Sequence, residues 1–149
     1  MIGRGTKVVG STAAVLVAGA IIYSILMQPH HPQRNQKRAE RSIRQIHTCA
    51  AAYARRHPDR GFPGNLREMA GSGESCLDHD LASGYKDFYH FSYTPGTVSA
   101  GGVVSSYVVR AEPVHFEEGN IRYYSDQSGV VRFTGEHREA TSQDPVRVE

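Results

Sequence analysis

The chain has 149 residues, a formal net charge of +2 and no tryptophan. Setting aside an apolar N-terminal stretch of about 28 residues leaves room for one soluble domain with one modest core. A charge so near balance is not that of a dedicated nucleic-acid binder, and two cysteines, Cys49 and Cys76, with no CxxC spacing exclude zinc-ribbon and thioredoxin-type motifs.

Residues 8–27 carry no charge and are mostly apolar. Twenty residues rising about 1.5 Å each reach about 30 Å, the thickness of a bilayer core, so the stretch reads as a transmembrane helix. Arg4 and Lys7 before it would also suit a secretory signal peptide. The run is longer than a signal core, however, and residues 28–32 offer no small-x-small cleavage site. The expectation is an uncleaved signal anchor over residues 1–28. Within it Gly10, Ala14 and Ala18 recur every fourth residue, a stripe that would let a second helix approach closely. Small residues are also common in spanning helices, so the stripe alone does not establish association.

The pattern then changes. Ala39, Ile43, Ile46, Ala50 and Tyr53 recur at spacings of four and three, which predicts a spine helix over about 33–57 with a narrow apolar seam. Arg34, Lys37, Arg38, Arg41 and Arg44 follow the apolar run closely. They suit either anionic lipid headgroups or a solvated helix face. Pro58 closes the helix, because the residue before a proline avoids helical angles. Cys49 lies beside the seam and Cys76 follows a Gly/Ser-rich stretch. A disulfide between them is expected if the domain lies outside the cytoplasm, stabilising by about 3–4 kcal/mol on the chain-entropy model. Two separate buried thiols are the alternative.

Leu66 and Met69 are the inward pair of a short helical turn. Four strands follow, at about 91–96, 103–111, 121–125 and 130–134, the last two joined by the tight turn Asp126-Gln127-Ser128-Gly129. Tyr107 and Val109 fall on one face of their strand and Val108 on the other. The predicted fold class is α+β: an N-terminal transmembrane helix, then a spine helix packed on a four-stranded antiparallel sheet. The head spans residues 29–135, and 136–149 forms a polar tail. Tyr85, Tyr89, Tyr93, Tyr107, Tyr123 and Tyr124 read first as cross-strand packing. With Arg110, Arg122 and Arg132 they would alternatively form an adhesive patch.

Four segments together resemble the bacterial type IV pilins and the major pseudopilins of type II secretion. They are Ile43-Arg44-Gln45-Ile46-His47-Thr48 with Ala52-Tyr53, Gly61-Phe62-Pro63 with Leu66, Tyr93-Thr94-Pro95-Gly96-Thr97, and residues 123–132 around the last hairpin. The closing Ala140-Thr141-Ser142-Gln143-Asp144-Pro145 is similar to the tail of some members. The resemblance spans residues 39–149 and implies a pilin-like head on a membrane-anchored spine. It departs at the start. No Gly before a Phe or Met follows a short basic leader, and no acidic residue lies within 8–27. An intramembrane carboxylate is costly and is kept for a function, so its absence points to a relative that does not polymerise. The basic flank after residue 27 would place the head in the cytoplasm. The cysteine pair and the resemblance place it in the periplasm, held at the bacterial inner membrane.

Some pseudopilin loops hold calcium, which makes Asp78, His79 and Asp80 weak candidates for a divalent cation, although such a cluster is more often a solvated loop. No HExxH, nucleophile elbow or phosphate-binding glycine loop occurs. No enzymatic role and no cofactor are expected. The expected function is a structural or accessory component of a type IV pilus or type II secretion-like assembly. Membrane lipid and pilus or secretion-system membrane proteins are the expected partners, with no nucleic acid. The alternative is a membrane-tethered module that binds a ligand or envelope polymer.

Overall fold

Helix α1 runs from Pro32 to Arg56. Proline suits the first helical position, where its missing N–H costs nothing, and Pro58 stops the helix two residues past its end. This architecture comes from a computed structural model that describes residues 31–70, 76–115 and 120–147. These belong to one compact unit beginning at His31. Every residue of the seam, Ala39, Ile43, Ile46, Ala50 and Tyr53, is buried, with Asn35, Ser42 and Cys49 beside it.

After α1 come a 3-10 turn, Leu66–Met69, and a short helix α2, His79–Ser83. Five strands follow: β1 Tyr85–Lys86, β2 Tyr89–Pro95, β3 Tyr107–Pro113, β4 Arg122–Asp126 and β5 Arg132–Thr134. They form one antiparallel sheet in the order β1-β2-β3-β4-β5, each strand beside its sequence neighbour. In β3, Tyr107, Val109 and Ala111 are buried while Val108 and Arg110 are half-exposed, as alternation requires. Ile43 and Ile46 share one core with Tyr89, Phe91, Tyr107, Val109 and Tyr123. Burying each such large side chain contributes about 1.5–3 kcal/mol.

The α+β class holds, but two parts of the expected architecture are corrected. The sheet has five strands rather than four. The extra strand is β1, joined to β2 by the two-residue turn Asp87-Phe88, whose φ angles are 50° and 64°. Such turns usually carry Asn-Gly or Asp-Gly, so this Asp-Phe pair gave no turn signal. The second correction concerns the transmembrane helix. Among the described residues no helix is long and apolar enough to cross a membrane. The one long helix there, α1, is studded with arginines. The expected span at 8–27, with Gly10, Ala14 and Ala18, lies outside the described residues.

Strand β3 also starts later than 103. Val104 instead bridges Gly61 and Val98. Gly61 has φ 75°, and a Cβ there would lie 2.2 Å from the Val104 carbonyl oxygen, so only glycine permits this approach. Residues 136–147 of the polar tail are packed in part. Ala140 is 1% and Asp144 6% exposed. Arg138 donates to Asp144 at 2.9 Å, and the Thr141 amide donates to the same carboxylate at 2.7 Å. Both contacts hold the Asp144 carboxyl well below the usual carboxylate range, the arginine being the larger cause. The Phe133 amide donates to Pro145 O and the Arg147 amide to Val131 O, closing the outer edge of β5.

Cys49 and Cys76 form a disulfide across 27 residues, with Cα atoms 5.7 Å apart. It ties the segment before α2 to the middle of the spine, where Gln45 also donates to the Cys76 carbonyl at 2.9 Å. Reduction of the full chain is expected to lower its unfolding free energy by about 3–4 kcal/mol. Denaturation midpoints with and without reductant measure this; coincident midpoints would contradict it.

Candidate functional site

Two places stand out: an open groove at one sheet edge and a polar chain buried under the spine. The groove encloses about 370 Å³ and is lined by Asn65, Leu66, Arg67, Ala82, Ser83, Gly84, Phe91 and Tyr93. It exists because β1 is only two residues long while β2 has seven. The Phe91 amide donates to Gly84 O at 2.7 Å, so odd residues of β2 turn their backbone groups away from β3. By the same alternation Tyr93 directs its N–H and C=O past the end of β1. Among the described residues nothing pairs with them there. Gly84, with φ 86°, ends α2 and lies close against β2; a Cβ on it would meet Phe91 O at 3.0 Å. Arg67 supplies the one charge among the lining residues. The arrangement offers backbone pairing, an apolar floor of Leu66 and Phe91, and a cationic rim.

The buried chain centres on His47. Ser125 Oγ donates to Val130 O at 2.9 Å, so it accepts from His47 Nε2 at 2.7 Å. His47 Nδ1 then accepts from the Tyr107 hydroxyl at 2.6 Å. The neutral imidazole thus joins the spine to β3 and β4. Burial lowers its pKa, Asp126 partly opposes that, and Arg44 adds to it. Ser125 is fully buried with its proton committed to a carbonyl, so the group is a structural tie rather than a nucleophile presented to solvent. Sequence spacing gave no sign of it, because the three residues come from three separate elements.

The tyrosines are mostly packing with anchored hydroxyls. Tyr53 donates to Glu68 at 2.9 Å, Tyr89 to Ile121 O at 3.0 Å and Tyr123 to Gln36 O at 3.3 Å. Burial pushes the Tyr107 and Tyr123 hydroxyls up to about 12. Tyr93 differs: it stacks on Tyr107 with ring centroids 5.0 Å apart, and its buried hydroxyl has no hydrogen-bond partner among the described residues. Tyr85 is exposed, and Tyr124 sits on the outer face under Arg110, 5.6 Å from its ring centroid. Across the outer face Arg110, Tyr124 and Arg132 are register partners, with Arg122 two residues before Tyr124 on β4, while the core tyrosines lie on the other face. Arg122 and Arg132 each donate to a carbonyl of the C-terminal segment, at 2.9 and 2.8 Å.

Asp78 caps α2 by accepting from the Leu81 amide at 3.0 Å, and Lys86 pairs with the same carboxylate. Both contacts lower its pKa, the lysine being the larger cause. His79 and Asp80 occupy the first turn of that helix. Among the described residues no three His, Cys, Asp or Glu side chains gather as metal ligands. The cluster therefore starts a helix, and the sequence candidates Asp78, His79 and Asp80 do not converge.

Two outcomes are expected. Replacing Tyr93 by Phe removes an unsatisfied buried hydroxyl and leaves stability unchanged or raised, whereas Tyr107→Phe strands His47 and costs about 1–3 kcal/mol. Equal losses from the two changes, read by denaturation, would contradict the assigned bonds. The second concerns pH. A histidine whose folded pKa is depressed contributes stability that is complete above its ordinary value of 6.5 and is lost as pH falls through that value toward the folded one. His47→Gln should flatten the decline in melting temperature over that window; an unchanged slope would refute it.

No protein-family model matches the chain, and no curated protein and no solved structure is significantly similar to it.

Proposed function

We propose that the chain is a membrane-tethered protein with a pilin-like head outside the cytoplasm. In this reading it serves a pilus or type II secretion-like assembly at the bacterial inner membrane as a non-polymerising structural or accessory part. The observation that carries the reading is the build of α1. One amphipathic helix, entered from a twenty-residue uncharged sequence, has its seam filled by an antiparallel sheet whose strands follow in chain order. The Cys49–Cys76 disulfide supports an oxidising compartment. The lack of an acidic residue within 8–27 supports a part that does not enter a filament. Photo-crosslinking from exposed α1 positions such as Thr48 and Arg55 in cells tests it. Adducts with inner-membrane or filament components are expected. Recovery of the chain without such adducts would count against it.

The groove favours a second reading, a tethered module that takes up an extended peptide. Pairing at Tyr93 would give affinity, and Arg67 would select a carboxylate. Peptide binding that is lost on Arg67→Glu, in a chain that gives no α1 adducts with assembly components, would favour this reading over the first.

A further inference from the structure

At the end of the unit where the chain enters, α1 carries Arg34, Lys37, Arg38 and Arg41, all exposed. Their spacings of three, four and seven put them on one helical face, turned away from the buried seam. Arg38 pairs with Asp87 at 2.8 Å, and this pair fixes the β1–β2 turn beside the stripe. Arg34, Lys37 and Arg41 have no acidic partner among the described residues. Glu40, the nearest carboxylate on α1, is engaged by Arg44 at 3.0 Å and Arg147 at 3.6 Å. The turn held by Arg38 projects Phe88, and β1 leading into it carries Tyr85; each is 48% exposed. Phe88 does so from a left-handed backbone, φ 64°, which is unfavourable for a bulky residue. An apolar ring kept exposed at conformational cost, next to unpaired cations, has the chemistry of an interfacial anchor.

The uncharged sequence joins the chain at this end. Three residues separate its first described residue, His31, from the uncharged sequence 8–27. We propose that the Arg34–Lys37–Arg38–Arg41 stripe and the Phe88 turn form a contact surface for anionic lipid, which holds the head against the membrane that tethers it. The inference rests on the tethered reading above and adds the residues and the lipid class. Basic side chains supply attraction to a negative leaflet, and the Phe88 ring enters the headgroup boundary. Asp87 lies in the same surface, but its charge is neutralised by Arg38.

The chain has no tryptophan, so Phe88→Trp places a single indole at the contact. The full chain carrying this change is reconstituted into zwitterionic vesicles and into vesicles with added anionic lipid, each containing bromolipid as quencher. Blue-shifted, quenched emission in the anionic vesicles and reversal by salt are expected. Replacing Arg34, Lys37 and Arg41 by Gln should lower the docked-to-free ratio roughly fivefold per residue, the factor matching about 1 kcal/mol per basic residue at such a surface. Tyr85→Trp is the second reporter if the first variant fails to fold. Chain that floats with vesicles while its indole stays water-like overturns the contact alone. Quenching that is equal in both lipids and indifferent to the Gln changes removes the anionic specificity. A shift produced by a soluble polyanion but not by lipid assigns the stripe to another partner. Chain that does not float overturns the contact together with the tether.

Discussion

The burial of the α1 seam against β2, β3 and β4 is the interaction on which the rest depends. The seam is narrow, two isoleucines flanked by alanines, and the alanines let the sheet come close. The strands then fill the space with tyrosine and phenylalanine rather than leucine. That choice imposes a second constraint. Each ring brings apolar area to the core, but each tyrosine also brings a hydroxyl that needs a partner. Tyr89 meets it with the Ile121 carbonyl just before β4, Tyr123 with the Gln36 carbonyl near the N-terminal end of the spine, and Tyr107 with His47. Helix and sheet are thus joined by a fixed set of polar contacts as well as by apolar area, and these fix the register of one on the other. The disulfide adds a covalent point where α1 is otherwise covered by a short, irregular segment.

The two edges of the sheet are treated differently. Residues 145–147 pair along β5, and the ion pair between Arg138 and Asp144 holds that segment in place. At the other side β1 covers only the beginning of β2 and leaves Tyr93 facing the groove. The asymmetry has a local cause: α2 ends in a left-handed glycine, and β1 begins at the next residue and turns at Asp87-Phe88 after two residues. A longer β1 would have sealed the groove.

Much of the soluble architecture was legible because it rests on periodicity. The seam from Ala39 to Tyr53, the inward set of β3 and the Asp126–Gly129 turn follow from spacings of 3.6 and 2 and from a glycine at a tight turn. The Cys49–Cys76 pairing was legible because only one pairing exists within a chain of two cysteines. Strand β1 was hidden because its turn uses Asp-Phe in place of a glycine-containing pair. The packed tail was hidden because its burial is carried by Ala140 and a buried aspartate, which read as polar linker composition. The candidate sites were the least legible. The groove and the His47 chain are assembled from residues far apart in sequence, and the compact Asp78-His79-Asp80 cluster turned out to be a helix start.

The capped β5 edge also sets a limit on stoichiometry. Growth of a sheet from copy to copy needs two free edges on every molecule, one to give and one to receive. Here one side is occupied by the molecule's own C-terminal segment. Any association through the β2 edge is therefore self-limiting: two copies meeting there consume both openings, and a single guest strand does the same.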